Sequence, residues 1–178
     1  MTRLESKGRD ADSGRRLWRL HLLEVEAAIL RGLPEQLRAL LANPDANRAV
    51  VDRLFPVSYA DPAEERENRR LLGQGLLEER QELLDQMEAE LDRAVPEDSP
   101  GGEPGKGDKG VAVQLDGGQL DLWLRFVNDV RLVLATDLGV TSDDAAPADE
   151  PPEDPKRALL EYLGGLESIL VEAARQEF

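Results

Sequence analysis

Cysteine is absent from this chain of 178 residues, which removes disulfides, thiolate nucleophiles, cysteine metal sites and thiol redox switches together. Histidine occurs once, as His21, so a Ser-His-Asp site or a zinc centre would have to assemble around that residue alone. His21 reads instead as an ordinary surface or sheet-edge residue. Aromatics are few, two Trp, two Tyr and three Phe, and the core is expected to consist mostly of Leu, Val and Ala, which suits helices. There is no run of about 18 apolar residues, and the first residues lack the apolar segment of a signal peptide. A cytoplasmic protein without membrane contact is the expectation. The glycines between 101 and 110 lack the GxxxxGK[ST] spacing of a phosphate loop, and neither EF-hand spacing nor a Glu-x-x-His pair occurs. No catalytic residue, cofactor or metal ligand is assigned, and an enzyme is not expected.

Basic side chains are outnumbered: 22 Lys and Arg stand against 37 Asp and Glu, a net charge of −15. Such a field repels phosphates and disfavours generic binding to nucleic acid or anionic membrane. The imbalance is uneven, since residues 1 to 20 carry six basic and three acidic side chains. Arg15, Arg16 and Arg19 are therefore the candidate nucleic-acid contacts, although a solvated terminus is the commoner meaning of such a run.

What is present points to helices around one long apolar segment. Projected at about 100° per residue, residues 119 to 138 place Leu120, Leu122, Trp123, Leu124, Phe126, Val127, Val130, Val133, Leu134 and Leu138 on an arc wider than half the circumference. A helix so widely apolar must be covered on several sides, which makes it the centre of a packed domain. Asp121, Arg125 and Asp129 fall on the remaining strip, read as the solvent face, where Arg125 can pair with either acid. Asn128 lies at the edge of the arc and Arg131 inside it. A buried guanidinium needs a partner, so Arg131 marks either a structural ion pair or a ligand or partner site, with the first reading favoured.

Residues 1–14 are polar and expected to be a flexible N-terminal arm, followed by one helical domain over 15–178. RRLWRLHL alternates, with Trp18, Leu20 and Leu22 on one side, and predicts a short strand. Val25, Ala28, Ile29, Leu33, Leu37, Leu40 and Leu41 then recur at helical spacing, with a kink or break expected at Pro34. A short helix over 46–54 leads into Phe55, Val57 and Tyr59, read as an extended crossing. Asp61 and Pro62 signal a helix start, and that helix runs to Val95 as one bent rod or as two meeting near Gly75. Flexible loops are expected at 96–110, with five glycines and three prolines, and at 141–155, with six acids and four prolines. GVAVQLD gives a second strand directly before the central helix, and pairing the two strands satisfies their backbones. Gly139 stops the central helix, and 156–178 form the last one. The expected fold is mainly α, a single-domain helical bundle around a central buried helix with a small two-stranded β ribbon.

At LFPVSYADPAEERENRRL, WLRFVNDVRLVLATDLGV and YLGGLESILVEA the chain resembles an actinobacterial family labelled a domain of unknown function. Some of its members are described as oxidative-stress transcriptional regulators of the AosR type. The Asn-Asp-x-Arg-Leu run at Asn128, Asp129, Arg131 and Leu132 carries the resemblance most specifically. It implies regulation through contact with a sigma factor and promoter DNA, and in redox-responsive members a Cys-x-x-x-Cys switch that a cysteine-free chain cannot operate. Ala135 and Asp137 also stand where Gly and Arg are expected. The function so implied is that of a non-enzymatic regulatory protein, monomer or dimer, acting through protein contacts in which Asn128, Asp129 and Arg131 are structural or partner-contact residues. Two alternatives stay open, direct DNA binding through the basic arm and an enzyme with a site near Arg131.

Overall fold

A computed structural model describes residues 2–11, 14–56, 60–98, 109–140 and 154–176. The elements are β1 (Arg3–Arg9), β2 (Arg16–Leu23), α1 (Glu24–Ala42), α2 (Arg48–Leu54), α3 (Pro62–Asp92), β3 (Val95–Asp98), β4 (Lys109–Leu115), α4 (Gly117–Asp137) and α5 (Pro155–Arg175). Mainly helical architecture is as expected; the ribbon is larger than expected. The two foreseen strands do pair, Trp18 opposite Leu115 and Leu20 opposite Val113. They form the middle of a four-stranded antiparallel sheet of order β1-β2-β4-β3.

Two segments expected to lack regular structure supply the outer strands. Residues 3–9, placed in a flexible arm, are β1: Leu4 faces Leu20, and a bulge between Ser6 and Gly8 turns the strand, with Gly8 at φ +87. Residues 95–98 are β3, where Val95 is the expected end of a helix and 96–98 the expected start of a loop; 109–110, the expected end of that loop, open β4, and residues 99–108 and 141–153, with Val57 and Tyr59, lie outside the described residues.

Two strand-to-helix junctions need no linker. β4 ends at Leu115, and Asp116 then caps α4: its carboxylate accepts from the Gln119 N–H at 3.0 Å while the Gln119 side chain accepts from the Asp116 N–H at 2.8 Å. β2 passes straight into α1, whose Glu26 carboxylate accepts from the Leu23 N–H at 2.7 Å. As the sequence predicts, Asp61 caps α3 ahead of Pro62, and Gly139, at φ +66, ends α4.

The inner sheet face, with Trp18, Leu20, Leu22, Val113 and Leu115, packs into one core with α1, α4, α5 and the C-terminal half of α3. In α4, Trp123, Phe126, Val127 and Val130 are buried, as the wide apolar arc requires. α1 runs unbroken through Pro34, contrary to the break offered as one outcome there, and α3 is one continuous element through Gly75. Leu33, Pro34 and Leu37 are all buried, so packing outweighs the missing proline hydrogen bond. Among the described residues no helix is long and apolar enough to cross a membrane.

Candidate functional site

The polar edge of α4, with Arg125, Asn128 and Asp129, borders a cleft. α2 ends at Leu54, the chain turns away through Phe55 and Pro56, and the middle of α3 crosses on the other side, enclosing a cleft of about 760 Å³. Val51, Leu54, Phe55, Leu76 and Leu77 give it apolar walls, and Arg125, Asn128 and Asp129 reach it from α4. Its volume lies within the roughly 300 to 1,000 Å³ of small-molecule sites.

Asp129 is the residue that the sequence places wrongly. Its side chain is 3% exposed, and its Oδ2 lies 2.5 Å from the Arg80 guanidinium. The solvent strip therefore ends at Arg125, which pairs with Asp121 at 2.9 Å and approaches Glu79 at 3.8 Å. Helical projection fails here because the partner, Arg80, is 49 residues away on α3. Arg80 is also held 5.6 Å from the Phe55 ring centroid, with its other nitrogen 3.5 Å from the Leu54 carbonyl oxygen. Burial pushes the Asp129 carboxyl from 3.8 up to about 6, against the pull of Arg80 and Arg125. The second oxygen of Asp129, Oδ1, takes no hydrogen bond from any described residue.

The Asn-Asp-x-Arg run is thus divided between two sides of α4. Asn128, exposed, and Asp129 border the cleft. Arg131 points to α5, where its guanidinium pairs with Glu167, both side chains about a quarter exposed, at 27% and 23%. Gly164 lies beside it: a Cβ there would stand 3.9 Å from the Arg131 Nε. Arg131 and Asn128 thus lie on different sides of α4, and Arg131 pairs the central helix with the last one.

The basic candidates do not converge either. Arg15 lies 3.3 Å from Asp116, Arg16 stands 5.8 Å from the Trp18 ring centroid, and Arg19 is 3.2 Å from Glu97. His21 is neither at the surface nor on an edge strand. It is 9% exposed on β2, with Nδ1 2.6 Å from Glu97 and Nε2 3.4 Å from Glu5. Among the described residues no three His, Asp or Glu side chains are placed to hold a metal ion.

α1 also departs from its sequence pattern. Ala27, Leu30, Leu33 and Leu37 face the core, whereas Val25 and Ile29, counted with Leu33 and Leu37 at helical spacing, are 62% and 44% exposed. With Leu23, Glu24, Ala28 and Lys109, Val25 borders a shallow hollow. Sequence periodicity cannot tell which of two adjacent apolar stripes a neighbouring element covers.

A family model described as Domain of unknown function (DUF2017) matches residues 3–174. No curated protein and no solved structure matches the chain.

Proposed function

We propose, from the premise that the chain belongs to the Domain of unknown function (DUF2017) family, that it is a non-enzymatic regulatory protein working by contact with a partner protein. The observation that carries this reading is the uncovered stripe on α1. Val25 and Ile29 are exposed one helical turn apart with Ala28 between them, on a helix whose opposite face already fills the core. Isolated exposed aliphatics need no explanation, but two a helical turn apart, of which Val25 borders a hollow, make an apolar surface of the kind partners cover. The resemblance to oxidative-stress regulators points to a component of transcription, such as a sigma factor, as that partner. Direct DNA contact through Arg15, Arg16 and Arg19 is less well supported, because each of these side chains already has an acidic or aromatic neighbour.

The test compares the full chain with a Val25→Asp/Ile29→Asp variant by crosslinking and mass spectrometry in the native cell. Both positions are exposed, so stability should change by no more than about 1 kcal/mol. The expected result is a transcription component crosslinked to the wild type and lost from the variant. The same partners recovered with both proteins, or no specific partner with either, would sink the reading.

A further inference from the structure

From the cleft between α2, α3 and α4 we infer a binding site for a small amphipathic amine, a molecule with an apolar or aromatic body and one protonated nitrogen, whose nitrogen is taken by Asp129 Oδ1. This goes beyond the partner contact at α1 and does not depend on it, since the two surfaces share no residue.

The shape and the walls set the body of the ligand. About 760 Å³ bounded by Val51, Leu54, Phe55 and Leu77 accommodates a molecule of drug size and rewards apolar groups. The polar groups set its charge. Asp129 is buried and meets Arg80 through one oxygen only. Its carboxyl titrates near 6 even with Arg80 and Arg125 nearby, so desolvation is incompletely compensated. A cationic nitrogen at Oδ1 supplies the missing compensation.

An anionic ligand meets the opposite situation. Arg80 is committed to Asp129 and stands over Phe55, and Arg125 is held by Asp121 with Glu79 nearby. A carboxylate drawing on Arg80 would strip a buried acid of its partner. Drawing on Arg125, it would displace Asp121 and face Glu79. A neutral hydroxyl fills the walls and can donate to Oδ1, but it brings no charge and compensates the buried carboxylate less than an ammonium does. The polar side chains that line the cleft with Asp129 are Asn68, Glu79 and Arg80 from α3 and Arg125 and Asn128 from α4.

The experiment titrates three probes of like shape into the full chain at about pH 7.5: phenethylamine, phenethyl alcohol and hydrocinnamate, followed by backbone amide shifts in heteronuclear NMR and by calorimetry. The amine should bind about tenfold or more tighter than the alcohol, as for a charge-assisted hydrogen bond. Hydrocinnamate should bind weakest, and shifts should centre on Leu77, Arg80 and Asn128. Asp129→Asn should remove the preference for the amine over the alcohol. Leu77→Trp, which fills the cleft, should abolish binding of all three with the fold intact by NMR. A capped Phe-Lys dipeptide should bind more weakly than phenethylamine. Equal binding of amine and alcohol, preference for the anion, an unaltered preference for the amine in Asp129→Asn, tighter binding of the dipeptide, or no binding of the amine at millimolar concentration would each overturn the inference. None of these results bears on crosslinking at Val25 and Ile29, so the two ideas fail separately.

Discussion

The behaviour of Asp129 is set by a competition between burial and two guanidiniums, and burial prevails, raising its carboxyl to about 6 from 3.8. A carboxyl whose pKa is higher folded than unfolded holds its proton better in the native state. Its ionisation therefore opposes folding at neutral pH, and that opposition is removed as pH falls through 6 towards 4. Relative to Asp129→Asn, the wild type should gain about 2 kcal/mol of stability between about pH 7.5 and pH 4.5. Denaturant unfolding at the two pH values measures this, and a constant difference between the proteins would show that Asp129 is not desolvated as described. Referencing one protein to the other matters because other carboxyls move oppositely: Glu88 is held low chiefly by its hydrogen bond from Arg38, and its contribution is lost in acid. None of this is readable along α4 alone. Asp129 follows Arg125 by one turn on a face that otherwise reads as solvated, and only the fold brings Arg80 and Phe55 to it.

Among elements, β4 approaches β2 closely at Gly110, and glycine permits it. A Cβ on Gly110 would come within 2.8 Å of the Leu22 carbonyl oxygen, whereas one on Gly75, in the middle of α3, would meet nothing within 4 Å. Gly110→Ala should cost about 1 to 3 kcal/mol by forcing the strands apart, and Gly75→Ala should stabilise by about 1 kcal/mol through helix propensity. Thermal unfolding of the two variants distinguishes them, and a shift of the same sign in both would refute the placement of one. The paired strands, the capped start of α3 and the buried face of α4 were legible because each has a local cause: alternation, Asp-Pro, and apolar positions recurring at 3.6. β1 and β3 were not. In RLESKGR only Leu4 is apolar, and VPED carries a proline and two acids, so neither has an inward-facing pattern; pairing to β2 and β4 makes them strands. The cleft was equally invisible, being the space left where α2 stops and α3 crosses. Which face of α1 is covered depends on α3 in the same way, for Arg38 reaches Asp85 and Glu88 on that helix, each at 2.6 Å.

At the scale of the molecule, β1 closes one edge of the sheet and also touches the last helix, where the Thr2 and Tyr162 hydroxyls lie 3.3 Å apart. Residues 2–9 are therefore structural, and their removal should lower the melting temperature and expose the edge of β2 to other chains. Calorimetry with light scattering tests this; an unchanged transition without association would return those residues to the status of a flexible arm. The order in which the chain is synthesised adds a consequence. β1 and β2 leave the ribosome early as a hairpin, while β4, the strand that flanks β2 on its other side, follows only after three helices. Until β4 emerges the hairpin has an open side and no complete underlayer, and a lone two-stranded unit is marginal in water. The interval of translation between Leu23 and Lys109 is thus when a nascent copy is most exposed to capture by its neighbours on the same message, and slowing elongation there should lower the yield of folded protein.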